Sequence, residues 1–379
     1  VGAIAWKSDD AITIVNEQGV KTSLETVNIS TGERVVETAP HGPAIISLSQ
    51  SDNGNRVACG ASTPTHPNQV FFWNRDDSTL TRLTDSNPWL KDLRLAPQEV
   101  VSFKARDGLN LEGLLIRPLD EVKGQRYPLI LTVHGGPESH HKNGWLTSYS
   151  NPGQMAAAMG MAVFYTNYRG STGRGVEFSK LSQGDPAGKE FDDLVDAVDH
   201  LIAIGLVDKD RVGVTGGSYG GYATAWCSTY YSERFAAGVM FVGISDKISK
   251  VGTTDIPEEE FLVHALKRPW DDWEFFLKRS PIYYADRGKT PLLILHGKDD
   301  PRVNVGQSRE LYRYLKLRGE APVRLVLYPG EKHGNRRAAS RLDYNLRMLR
   351  WFKHFLLEDG REPPDYKVSY DAPSESNGK

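Results

Sequence analysis

A chain of 379 residues with 39% hydrophobic and 25% charged side chains is long enough to bury a large core and still carry an appendage. Its formal charge of -2 gives no basic footprint for nucleic acid or an acidic membrane surface, and no run of about eighteen apolar residues supplies a transmembrane helix. Cys59 and Cys227 lie far apart in sequence, which argues against a disulfide framework and against a cysteine metal site. The chain opens at Val1 with no initiator methionine and no signal peptide, inside what reads as a strand. A preceding segment is therefore expected, and the compartment, cytoplasmic or exported, stays open.

Residues 1–90 read as antiparallel β structure. Ala11–Val15 precedes a turn cluster at Asn16–Gly19, and Glu25–Ile29 and Glu33–Glu37 flank Ser30–Gly32. Val27–Arg34 and Phe71–Ser78 occupy like positions in a weak repeat of roughly forty residues, with Ile45–Ser49 and Arg56–Gly60 as the inner hairpin of the second unit. That period suits two blades of a propeller, too few to close a ring of about four to eight. A small β-sandwich cap is the alternative. Bare strand edges invite pairing, so a homo-oligomer formed through these N-terminal strands is a further expectation.

Asn87–Leu95, edged by Pro88 and Pro97, reads as a linker, and residues 91–98 are assigned to it. From Glu99 the rhythm changes. Val100–Lys104 and Leu111–Ile116 flank an Asp107-Gly108 turn as a hairpin. Buried-strand runs follow at Leu129–Val133, Ala162–Tyr165, Val212–Val214, Ala237–Phe241, Leu292–Leu295 and Arg324–Tyr328. Helical stretches lie between or after them at Phe191–Ile204, Gln307–Leu317 and Leu342–Leu357. This alternation predicts an α/β fold with a mostly parallel sheet covered on both faces, over residues 99–360. Residues 361–379, rich in Pro, Ser, Asp and Lys, are expected to form a frayed or loosely docked tail.

The chemistry gathers where strands end. Gly216-Gly217-Ser218-Tyr219-Gly220-Gly221 places Ser218 at a strand-to-helix corner, the setting of a nucleophile elbow. The loop after Leu292–Leu295 carries Asp299 and Asp300, and the loop after Arg324–Tyr328 carries His333. Serine, acid and histidine in this order, each after a successive strand, match the α/β-hydrolase order of a catalytic triad. Ser218 needs His333 to take its proton, and the imidazole needs a carboxylate to fix its tautomer. Asp300 is the choice, with Asp299 as near rival on these grounds alone.

An oxyanion formed by such a serine needs donors. The Tyr219 N–H is one, and the loop His134-Gly135-Gly136-Pro137 supplies the second, through His134 or Gly135. His140 and His141 resemble half a metal site, but with no further ligand at useful spacing they read as a solvated loop. No metal and no cofactor is called for. Lys247–Pro281 interrupts the strand-helix rhythm with Trp270, Trp273, Phe275 and Phe276, residues of a core or of an acyl pocket. Tyr219, Trp145 and Val305 are further pocket candidates.

Taken together, His134-Gly135-Gly136-Pro137, Asn167–Gly173, Gly216–Gly221, Asp300-Pro301-Arg302-Val303 and Glu331-Lys332-His333-Gly334 resemble the catalytic domain of the prolyl oligopeptidase family of serine peptidases, over about residues 98–360. The resemblance is greatest to its acylaminoacyl peptidase and dipeptidyl aminopeptidase branches. It implies Asp300 rather than Asp299 as the acid, and Arg302 as a contact for a substrate carbonyl or carboxylate, a surface ion pair being the alternative. It also implies a short peptide substrate, while the charge and the absence of a long apolar run already give no reason for a nucleic-acid or membrane partner. The family's complete propeller and the acids that hold a free amino terminus have no counterpart here, so aminopeptidase specificity does not carry over. Carboxylesterase action by the same triad is the rival activity, and a non-catalytic hydrolase-fold scaffold the remote one.

Overall fold

The computed structural model describes residues 1–38 and 42–370. Eight short strands pair in sequence order into two small sheets, with strict in-out alternation over residues 68–74, where Phe71 and Trp73 face the core. β1 (Ala3–Ser8), β2 (Ala11–Gln18), β3 (Lys21–Asn28) and β4 (Arg34–Val36) form one antiparallel sheet. β5 (Ala44–Gln50), β6 (Arg56–Thr63), β7 (His66–Asn74) and β8 (Thr79–Arg82) form a second. Each is a four-stranded meander of the kind that makes a propeller blade. Val27–Arg34 and Phe71–Ser78 both run from a third strand towards a fourth, as the repeat predicts. Val15 and Leu24 of the first sheet share a core with Ile45, Val57, Cys59, Ala61, Phe71 and Trp73 of the second. Asn16–Gln18 is strand rather than turn: Gln18 pairs with Lys21, leaving Gly19 and Val20 as the hairpin tip.

Within Asn87–Leu95 the chain makes a 3-10 turn at Pro88–Asp92 that buries Leu90. It then enters an eight-stranded sheet: β9 (Gln98–Lys104), β10 (Asn110–Ile116), β11 (Tyr127–Val133), β12 (Ala162–Asn167), β13 (Val207–Gly217), β14 (Ala237–Phe241), β15 (Leu292–Gly297) and β16 (Val323–Tyr328). The order across the sheet is β9-β10-β12-β11-β13-β14-β15-β16. The β9–β10 and β10–β12 pairings are antiparallel and all the others parallel. Every residue of β11, β12, β14 and β15 is buried, because helices cover both faces.

These helices are α1 (Gly153–Ala158), the single turn α2 (Val176–Ser179), α3 (Lys189–Ala203), α4 (Tyr219–Thr229), α5 (Lys247–Thr253), the turn α6 (Pro257–Glu259), α7 (Trp273–Lys278), α8 (Gly306–Arg318) and α9 (Ala338–Leu356). α3 turns Phe191, Leu194, Val195, Val198 and Leu201 onto one face of the sheet, where they join Tyr222 and Trp226 of α4. α9 covers the opposite face with Tyr344, Met348, Trp351, Phe352 and Phe355, again at helical spacing. The fold is that of an α/β hydrolase preceded by two small antiparallel sheets. No helix among the described residues is long and apolar enough to cross a membrane.

The small sheets are tied to the loops that follow β11 and β12. Lys142 pairs with Glu17, Trp145 N–H donates to Ser62 Oγ at 3.2 Å, and Gly19 N–H donates to the Gly173 carbonyl at 2.7 Å. At the other end, residues 361–370 are docked rather than frayed. Arg324 donates to the Asp365 carbonyl, Arg347 to that of Tyr366 and Arg350 to that of Lys367. The rest of the expected tail, 371–379, lies outside the described residues.

The Phe352 ring lies so close to β13 that a Cβ added to Gly213 would sit 2.7 Å from it. Phe352→Ala should therefore leave an unfilled space against the central strand and cost about 3–5 kcal/mol, read as a lower denaturant midpoint with an unchanged slope.

Candidate active site

β13 ends at Gly217 and α4 begins at Tyr219, so Ser218 alone makes the corner. Its φ of 60° and ψ of -118° lie outside the regions a side chain ordinarily accepts. Two close approaches hold it there. A Cβ on Gly216 would fall 2.5 Å from the Val133 carbonyl oxygen, and one on Gly220 only 2.1 Å from the same atom, so only glycine fits at either position. The Ser218 N–H donates to the Phe241 carbonyl at 3.0 Å, fastening the corner to β14.

Three loops converge on the serine. Ser218 Oγ lies 2.9 Å from His333 Nε2, and His333 Nδ1 lies 2.8 Å from Asp300 Oδ2. Asp300 is buried, whereas Asp299 is exposed. The Asp300 carboxylate also accepts from the Arg302 and Val303 N–H groups at 2.9 and 3.1 Å. Burial pushes its pKa up, but hydrogen bonds from His296 and His333, the His333 charge and the Val303 N–H outweigh that and bring it down to about 2. The histidine loop is pinned in turn: Glu331 accepts from the Arg336 and Arg337 N–H groups, and its carbonyl accepts from Asp299 N–H.

His296 joins this set without having been singled out in the sequence. It is fully buried, its Nε2 lies 2.8 Å from the Val303 carbonyl and 3.2 Å from Asp300 Oδ2, and its Nδ1 lies 2.6 Å from Ser308 Oγ. The Ser308 hydroxyl can donate to Nδ1, which leaves Nε2–H to donate to Asp300. A histidine ending an apolar strand carries no pattern that announces this role.

The loop after β11 meets the elbow from the other side. A Cβ on Gly135 would lie 3.1 Å from the Gly217 carbonyl, 3.3 Å from Ser218 Cβ and 3.9 Å from Tyr219 N, so its backbone faces the serine directly. Tyr219 N–H, in the first turn of α4, has no acceptor within the helix. The His134 ring is engaged elsewhere: it contacts Ser171 Oγ at 2.9 Å and the Gly135 carbonyl at 2.8 Å, and it stacks on Tyr168. Burial lowers its pKa to about 4, so the ring is neutral at pH 7. The Asn167–Gly173 stretch supports it. Arg169 is bonded to Asp193 and Asp107, which ties this stretch to α3 and the β9–β10 turn.

Other sequence candidates fall elsewhere. The Arg302 guanidinium pairs with Asp255 at 2.7 Å, the surface ion-pair alternative. Tyr219 is core rather than pocket: its ring packs on Phe191 and Tyr222, and its hydroxyl donates to buried Glu190, whose pKa burial pushes up to about 8. His140 and His141 are not solvated. His140 Nδ1 lies 2.8 Å from Thr172 Oγ1, and the His141 ring packs edge-on against His134 and Tyr165. In the insertion, Phe276 is buried while Trp270 and Trp273 are exposed.

Fold and site together describe an α/β hydrolase with a serine at its elbow and a histidine and a carboxylate in line behind it. The chain belongs to the prolyl oligopeptidase family, whose model matches residues 147–359. It is 34% identical to dipeptidyl aminopeptidase BIII of Pseudoxanthomonas mexicana over 80% of this chain and 45% of that one. It is 30% identical to the acylamino-acid-releasing enzyme of Sus scrofa over 86% of this chain and 44% of that one. An acylaminoacyl peptidase structure from Pyrococcus horikoshii superposes with a TM-score of 0.82 at 26% identity, covering 97% of this chain and 57% of that one. The chain thus spans about half the length of the curated relatives it matches.

Because the Asp300 pKa is depressed to about 2 from an unfolded value near 4, its contribution to stability is complete above about pH 4 and is lost as pH falls through about 2. Denaturant midpoints measured between pH 2 and 5 should fall more steeply on acidification for the wild type than for Asp300→Asn.

Proposed function

We propose that this chain is the catalytic part of a serine peptidase that cleaves short or N-acylated peptides through an acyl-enzyme. The observation that carries the reading is the unbroken hydrogen-bonded line from Asp300 through His333 to Ser218 Oγ. In this reading His333 Nε2 takes the Ser218 proton as Oγ attacks the scissile carbonyl, while Asp300 holds Nδ1–H and steadies the imidazolium. The oxyanion is received by the Tyr219 N–H and by a backbone donor of the His134-Gly135 loop. His333 returns the proton to the leaving amine, and water drawn onto the same base then releases the acyl group. Arg302 enters through its backbone N–H to Asp300.

Membership of a peptidase family and relatives named as acylamino-acid-releasing and dipeptidyl aminopeptidase enzymes support the substrate class. An ester's alkoxide leaves more easily than an amine and asks less of His333 as acid, so carboxylesterase turnover by the same residues is expected alongside. Self-association belongs to the same proposal: edge strand β1 turns Ile4 and Trp6 to solvent, 63% and 67% exposed.

Acetyl-alanine p-nitroanilide, alanyl-alanine p-nitroanilide and p-nitrophenyl butyrate should be turned over by the wild type, and Ser218→Ala should lose all three by roughly 10⁴-fold or more. The ranking of the three selects acylaminoacyl, dipeptidyl or esterase action. Equal rates in wild type and Ser218→Ala, with Ser218 inert to a fluorophosphonate, would leave a scaffold. Asp300→Asn should lower kcat by about 10⁴-fold while the fold is retained, as circular dichroism would record.

A further inference from the structure

Beside the elbow lies a second cluster that the proposed chemistry does not use. It joins Glu138, two residues past Gly136 in the loop after β11, to Glu259, Glu260 and His264 of the helical insertion. Residues Glu260–Ala265 form one π-helical turn, and this wide turn sets Glu260 at one ring nitrogen of His264 and Glu259 at the other. His264 Nδ1 lies 3.4 Å from Glu260 Oε2, while Nε2 lies 3.7 Å from both Glu138 Oε2 and Glu259 Oε1. The His264 side chain is only 4% exposed, and both its Nε2 and Glu138 Oε1 are buried without a hydrogen-bond partner. Its ring also packs on that of Tyr219, the residue after the serine, at 5.7 Å.

The charges around it are unevenly matched. Lys247 and Lys250 both pair with Glu260, whose carboxylate is thereby neutralised. Arg302 is paired with Asp255. Glu138 and Glu259 are left facing the buried Nε2 across a gap too long for a hydrogen bond. With Nδ1–H donated to Glu260, Nε2 presents a lone pair to two carboxylates, an arrangement that is repulsive until Nε2 takes up either a proton or a metal cation. A carboxylate behind the far nitrogen is also the partner that metal-binding imidazoles ordinarily have.

We propose that Glu138, Glu259 and His264 bind one divalent transition-metal ion of the zinc type, joining the insertion to the loop that carries Gly135. Nitrogen and oxygen ligands at about 2.0–2.2 Å from such an ion stand about 3.4 Å apart in a tetrahedron, close to the two 3.7 Å separations. The three ligand atoms lie within 4.8 Å of one another, so the two partly exposed glutamate side chains need only draw together. An imidazole in the set favours zinc-type ions over magnesium or calcium, which prefer oxygen alone. The fourth position is left to water.

The test uses the full chain, freed of metal with EDTA and dialysed, then titrated with zinc chloride by calorimetry in a non-coordinating buffer. One zinc per chain is expected, with Glu138→Gln and Glu259→Gln each weakening it about tenfold or more, and with a zinc-dependent rise in Tm that the double variant lacks. Both glutamates are partly exposed, so these variants should fold even if His264→Gln does not. Ser218→Ala should bind zinc as the wild type does, which separates this site from the proposed peptidase chemistry. Absence of zinc binding would overturn the proposal in favour of a protonated His264 between the acids. Binding unchanged in both glutamine variants would also overturn it, because the ion would then be held by other residues.

Discussion

The site depends on one backbone constraint: Ser218 must stand at a positive φ, and the sheet must keep it there. A strained non-glycine residue of this kind costs on the order of 1–3 kcal/mol and persists only where its surroundings over-determine it. Here they do. The Val133 carbonyl blocks any side chain at Gly216 or Gly220, and the Phe241 carbonyl holds the Ser218 N–H. The two carbonyls come from β11 and β14, the parallel strands that flank β13 in the buried middle of the sheet, so the corner is held from both sides. β11 also begins the loop that brings Gly135 to the serine. The same strand therefore bears on Ser218 and on the loop that faces it.

On the far side of the serine the design is different. Asp300 and His333 sit on loops beyond β15 and β16, where no sheet pairing can hold them. Polar contacts take its place: His296 and two backbone N–H groups surround the carboxylate, Ser308 fixes His296, and Glu331 gathers the N–H groups that follow the histidine. A buried carboxylate is costly unless its lone pairs are filled, and Asp300 has four donors. The depressed pKa follows from this satisfaction. It keeps the acid ionised beside the imidazole at neutral pH.

How much of this could be read beforehand follows from the range of each interaction. Gly216, Ser218 and Gly220 announce the corner because strand, turn and helix are local in sequence, and β14 was legible from its first residue to its last. Asp300 separates from Asp299 only in three dimensions, through burial, although the family pattern had pointed the same way. His296 and Glu190 carry no signal of their own in the sequence, since their partners lie in other segments and no spacing links them. His140 and His141 looked solvated because polar loop residues usually are. It is Thr172 and the rings of His134 and Tyr165, supplied by other parts of the chain, that make them structural. Composition alone leaves residues 361–370 open between frayed and loosely docked, because the partners that dock them are arginines of β16 and α9.

The bonds from Glu17, Gly19 and Ser62 to Lys142, Gly173 and Trp145 carry a consequence for how this architecture changes over time. The segment that starts at His134-Gly135 and carries Glu138 ends pressed against the two small sheets, so these sheets and the hydrolase share a joint rather than a tether. Exchanging the N-terminal part for that of a relative would import a foreign surface under this loop. An exchange of this kind calls for compensating changes at Lys142, Trp145 and their partners across the joint.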